Sequence, residues 1–69
     1  MKFKDLCALV ESLGYRFDRQ AGSHKLYWHP SRRDLPRINL QEGKSGKAKP
    51  YQVKQVLKII DDNGLEVHK

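Results

Sequence analysis

The chain has no way to staple itself, because Cys7 is its only cysteine and no internal disulfide can form. Stability must come from an apolar core, and a lone cysteine suits a reducing compartment. Cys7 borders an apolar helical stripe and reads as a small buried hydrophobe. Long hydrophobic runs are also missing. None approaches the roughly 18 residues that would span a bilayer, so no membrane partner is expected. Met1-Lys2-Phe3-Lys4 is a basic start, but Asp5 and Glu11 break up the residues behind it, which argues against a signal peptide. The expectation is a cytoplasmic protein. Metal ligands are sparse. His24, His29 and His68 are scattered, no cysteine pair exists, and Asp18 and Asp34 have no acidic neighbours in sequence. Zinc sites and two-metal nuclease sites therefore fit poorly, and neither a metal nor another cofactor is expected.

Positive charge is plentiful. Fourteen Lys and Arg against eight Asp and Glu give a net charge of +6 over 69 residues. The excess is uneven: residues 15–34 carry +3, residues 35–58 carry +5, and residues 59–69 carry −2. A basic field attracts phosphate backbones and speeds encounter, but it confers no sequence specificity. The plainer alternative is a surface that aids solubility or faces an acidic protein. Hydrophobic residues at 38% and charged residues at 32% favour a folded chain over a disordered one. The length allows one domain, residues 1–69.

Periodicity gives the element order. Leu6, Leu9, Val10 and Leu13 form a helical stripe flanked by Phe3 and Cys7, and Gly14 follows as a natural stop. This predicts a helix over residues 3–13. Tyr15, Phe17 and Arg19 alternate with Arg16, Asp18 and Gln20, which reads as a strand. Ala21-Gly22-Ser23 is a turn. A second strand runs from His24 to His29, with His24, Leu26 and Trp28 on one side and Lys25, Tyr27 and His29 on the other. After the turn at residues 30–34, a third strand covers residues 35–40. Pro36 belongs at its start or on an edge. Residues 41–49 read as a mobile basic loop whose Gly-Lys-Ser lacks the glycine pattern of a phosphate-binding loop. Pro50 suits the first turn of a second helix, with Val53, Val56, Leu57 and Ile60 as its stripe and Asn63-Gly64 as its stop. Leu65 folds back on the last turn. Residues 66–69 fray or add a short edge strand. The fold class is α+β, in the order α-β-β-β-α. A three-stranded antiparallel sheet has both helices on one face and leaves its other face open. Tyr27 and Trp28 then fall on opposite faces unless a bulge intervenes.

One corner suggests chemistry. In Gly22-Ser23-His24 the histidine leaves a tight hairpin near Arg16, Arg19 and Lys25. Imidazole can accept or donate a proton near neutral pH. RNA brings its own nucleophile, the 2′-hydroxyl. His24 is thus the candidate acid or base, and neighbouring cations could stabilise charge on the phosphoryl oxygens. Gly22 lets the backbone approach a phosphate, and Ser23 can donate to it. A surface histidine in a turn is more often incidental, so the residue pattern alone leaves catalysis the minority reading. For Tyr27 and Trp28 the plainer reading is packing in the core or against a partner.

The run Leu13-Gly14-Tyr15, Arg19-Gln20-Ala21-Gly22-Ser23-His24-Lys25-Leu26-Tyr27 and His29-Pro30 resembles the HicA family, small ribonuclease toxins of bacterial toxin–antitoxin pairs. Helix two, from Pro50 to Ile60 with Gly64, completes the likeness, which extends from Leu6 through Leu65. The resemblance implies a double-stranded-RNA-binding-domain-like fold and metal-independent cleavage of mRNA in a stress response. It places the family's essential histidine at His24 and implies neutralisation by a HicB-type antitoxin. Arg19, Gly22, Ser23, Lys25, Arg37, Lys44, Lys47 and Lys49 are the residues expected to bind RNA or stabilise charge, with Arg19 the preferred second group. Family members often carry a basic or histidine-containing segment after the third strand. Here a lysine-rich stretch without histidine replaces it, and lysine is a point charge rather than a bidentate fork. Two other readings stay open: a non-catalytic RNA-binding module, and a subunit that docks an acidic protein. The free chain's oligomeric state is open, with a monomer among the options.

Overall fold

The computed structural model describes residues 1–67, so His68 and the end of the tail lie outside the described residues. The order is α1 (Phe3–Ser12), β1 (Arg16–Ala21), β2 (His24–Trp28), β3 (Ile38–Gln41), a short 3-10 turn (Lys44–Gly46) and α2 (Pro50–Asn63). The three strands form one antiparallel sheet in the order β1-β2-β3. This is the α+β arrangement expected from periodicity.

α1 buries Phe3, Leu6, Cys7 and Val10, with Leu13 just beyond its end. These residues meet Tyr27, Ile38 and Leu40 from one sheet face and Val56 from α2. Both helices therefore cover the same face. Tyr27 pairs with Ile38 and Lys25 with Leu40, so these four point to the helices. His24, Leu26 and Trp28 alternate with them and point away. Gly64 adopts a left-handed conformation, and the Leu65 N–H donates to the Ile60 carbonyl at 3.0 Å. That fold-back closes α2 as expected.

Four readings change. First, the β1 pairing shifts between Phe17 and Arg19, leaving Asp18 as an extra residue. The bulge splits a side that alternation had assigned to Phe17 and Arg19 together. Phe17 joins Tyr27 on the helix side, while Arg16 and Arg19 both join the open face. Second, β3 starts only at Ile38. Leu35 is buried before it, and the Pro36 carbonyl accepts a hydrogen bond from the Tyr15 hydroxyl at 2.7 Å. Third, the buried stripe of α2 is rotated. Gln52 and Val56 are buried and Ile59 packs on the core, whereas Leu57 is 52% exposed. The Gln52 Oε1 accepts the Gln41 N–H at 3.1 Å, so burying this amide satisfies a group on the β3 edge. Fourth, residues 41–49 are not a free loop. Glu42 pairs with Ala48, Lys2 pairs with Lys47, and the Ala48 N–H donates to the Met1 carbonyl at 2.8 Å. The stretch is a folded arm tied to the N-terminus.

Candidate functional site

The β1–β2 hairpin closes at the Ala21–His24 pair, leaving Gly22-Ser23 as a two-residue loop. Gly22 has φ of 62° and no other described residue of the loop has positive φ, which is the pattern of a tight hairpin with glycine first. An added Cβ at Gly22 would meet nothing within 4 Å. Glycine is there for its backbone freedom, and the loop is open to an approaching ligand.

His24 is half-buried on the open face. Its Nδ1 is 2.9 Å from the Asn39 Oδ1. An amide oxygen only accepts, so this contact holds the proton on Nδ1 and leaves Nε2 without a protein partner among the described residues. Asn39 reaches the ring because β2 and β3 pair His24 with Gln41 and Leu26 with Asn39. Those four residues share a face.

A polar chain supports the hairpin tip. Lys49 Nζ donates to Gln41 Oε1 at 2.9 Å, and Gln41 Nε2 donates to Ser23 Oγ at 2.9 Å. Ser23 thus accepts from the sheet and keeps its own O–H to donate. Lys49 is joined to the corner through Gln41.

The other expected residues divide. Arg19 pairs with Leu26 and lies on the His24 side. Arg37 is on that side too, with Nη1 3.7 Å from Asp18 Oδ2, a largely exposed pair that contributes little stability. Lys25 is not part of this face. Its ammonium lies 5.7 Å from the centroid of the Phe3 ring, in a hollow that also exposes Glu11 and Glu42. Strand parity decides this. Lys44 and Lys47 belong to the folded arm, and no hydrogen bond or ion pair links them to the His24 corner among the described residues.

His29 is engaged elsewhere. The Arg32 N–H donates to its Nδ1 at 3.0 Å, so Nε2 carries the proton and donates to the Leu13 carbonyl at 3.1 Å. The Tyr15 ring meets it edge-on at 5.3 Å. This ring is a strut between the end of α1 and the turn after β2. Asp34 pairs with Arg32 at 2.8 Å, which holds its carboxyl below the usual range. Among the described residues, no group of three or more His, Cys, Asp or Glu gathers as a metal site. No described helix is long and apolar enough to cross a membrane.

Sequence reasoning missed Asn39 and Gln41 on the open face, and it named Arg16 and Trp28 without placing both of them there. Trp28 parity was visible, but its consequence needed the helices placed. Asn39 and Gln41 needed the β2–β3 register, which no local pattern encodes. Arg16 needed the bulge.

Such an arrangement defines a small α+β protein whose helices cover one sheet face while a hairpin histidine and several arginines occupy the other. Residues 3–61 match the sequence profile described as the HicA toxin of bacterial toxin–antitoxin. The chain belongs to the HicA family, and it is the toxin component of a toxin–antitoxin pair. Membership implies an antitoxin protein as its partner. No curated protein and no solved structure matches the chain significantly.

Proposed function

We propose that the chain is an endoribonuclease that cleaves mRNA without a metal, with His24 as the proton-transfer group. The observation that carries this reading is the His24–Asn39 contact, which fixes the ring and leaves Nε2 facing the open, basic side of the sheet. The 2′-hydroxyl of a bound nucleotide passes its proton to Nε2 as its oxygen forms a bond to the adjacent phosphorus. The bond from phosphorus to the 5′-oxygen of the next nucleotide breaks. The leaving oxygen takes a proton, which the imidazolium can supply once the first transfer is complete. A cyclic phosphate and a 5′-hydroxyl result. In this reading the Ser23 O–H and the Arg19 guanidinium, which shares the His24 side of the sheet, are the groups that meet the phosphoryl oxygens. An antitoxin of HicB type neutralises the chain by covering this face.

Purified protein is incubated with single-stranded RNA in excess EDTA, beside His24→Ala. Cleavage should persist in EDTA and fall by about 10²–10⁴-fold in the variant, the usual worth of a general acid or base. Equal cleavage by both proteins removes His24 from the mechanism.

One observation favours a second reading, a non-catalytic RNA-binding module. Among the described residues the open face brings no second histidine beside His24: its neighbours are Asn39, Gln41, Leu26 and arginines. Such a module would bind RNA tightly at low salt and yield no products after long incubation.

A further inference from the structure

Trp28 is the only tryptophan of the chain. It lies on the sheet face that neither helix covers, because its neighbour Tyr27 is the one turned to the core. A ring of this size left half-exposed serves the core poorly. It shares a side with His24, four residues along β2, which is about 13 Å at the usual rise of a strand. Arg16 stands directly opposite Trp28 in the β1 register. The Arg33 guanidinium lies over the ring, 5.7 Å from its centroid. Arg37 helps to wall a shallow hollow with Trp28, Arg33 and Leu35. The carboxylate joined to this group is Asp18, 3.7 Å from Arg37 in an exposed pair.

Charge selects the occupant. Arg16 and Arg33 flank one aromatic plane, Arg37 lines the same hollow and Arg19 lies further along that face, while the nearby carboxylates Asp18 and Asp34 are each paired with an arginine. That balance suits a polyanion with flat, apolar faces, which is what a single strand of RNA offers. Unstacked bases lie on tryptophan and on arginine planes, and each stacking contact is tolerant of base identity. Bases inside a duplex are stacked on one another and cannot reach the ring. Arg33 is exposed, so its side chain can yield the ring to a base and stack beyond it.

We propose that Trp28, with Arg33 beside it, is a stacking site for one unpaired RNA base, set along β2 from the His24 corner, and that it makes single-stranded RNA the substrate. This rests on the RNA-cleaving reading above. The site registers the strand so that a phosphodiester displaced from the stacked base lies at His24.

The full chain carrying His24→Ala is titrated with a short single-stranded RNA at low salt, and emission from Trp28 is followed together with binding. Saturable quenching is expected with the single strand. The same RNA annealed to its complement should bind through charge without quenching. Adding Trp28→Ala should weaken single-strand binding by about 5- to 150-fold, with Trp28→Phe retaining most of the affinity. Because the quenching is read on the unaltered ring, it does not depend on the tryptophan variant folding. RNA that binds and leaves the emission unchanged overturns the stacking site but spares the nuclease reading. Failure to bind RNA at all, with wild-type protein also inactive, overturns both. Emission that responds to an antitoxin protein and not to RNA assigns the ring to that interface and overturns the proposal.

Discussion

Asn39 holds one tautomer of His24 through the contact between its Oδ1 and the ring Nδ1. A neutral imidazole with its proton on Nδ1 presents a lone pair at Nε2, which is the base the proposed cleavage requires. Replacing Asn39 by Ala leaves the ring free to turn. Turnover should fall by about 10²-fold, as misplacement of a reacting group typically costs, with KM little changed. The ring nitrogens of His24 should at the same time show a changed tautomer balance by NMR, which mere loss of stability would not produce. Unaltered turnover and nitrogen shifts would deny Asn39 a positioning role. Two tyrosines act at the same scale on stability. Burial raises the Tyr15 phenol, and burial followed by the Cys7 thiol raises that of Tyr27. A phenol raised in the folded state keeps its proton where the unfolded chain has lost it. Its stabilising contribution is complete below pH 10 and is lost as pH rises through the folded value. The melting temperature should therefore be insensitive to these groups below that point and decline above it. A level profile well into the alkaline range would contradict the burial of both.

At the scale of elements, two glycines separate two kinds of constraint. Gly22 needs positive φ but has open space around it, so Gly22→Ala meets only backbone strain, about 1–2 kcal/mol. Gly14 has φ of 99°, and an added Cβ would lie 2.5 Å from His29 Nε2. Gly14→Ala should therefore cost more than Gly22→Ala, since it also displaces the ring that ties α1 to the turn after β2. In a chain this short each kcal/mol lowers the melting temperature by about 4–8 °C, so thermal unfolding can rank the two. A larger loss at Gly22 would reverse the assignment. Both glycines were legible as turn residues. The contact that makes Gly14 the stricter position was not, because His29 is fifteen residues away in sequence and meets it only in the fold. The same holds for the bulge at Asp18. Alternating residues look alike with or without an inserted residue, and only pairing with β2 reveals which one is extra.

For the whole molecule, four of the five arginines are gathered on one side of the sheet. Arg16, Arg19, Arg33 and Arg37 belong to the open face, while Lys25 is turned to the helix side and Lys44 and Lys47 belong to the folded arm. Single-strand binding should weaken with a slope of log affinity against log salt of about −0.7 per phosphate contact. Replacing Arg19 and Arg37 together by Gln should make that slope shallower by roughly 1.4. The pair Lys44→Gln and Lys47→Gln should change it less. Equal changes in both pairs would mean that charge, not the face, governs binding.

Local pattern by itself determined the helices, the hairpin, the α+β order and the histidine corner, because helical stripes, turn glycines and alternation act between residues near in sequence. It also placed Tyr27 and Trp28 on opposite faces. Tertiary structure decided the rest. The register of β3 brought Asn39 to His24, the bulge brought Arg16 beside Trp28, and the packing of α2 turned Leu57 outward in favour of Ile59. These depend on which strand pairs where and which helix face meets the sheet. Contacts between distant segments set such choices, and no short stretch of chain records them.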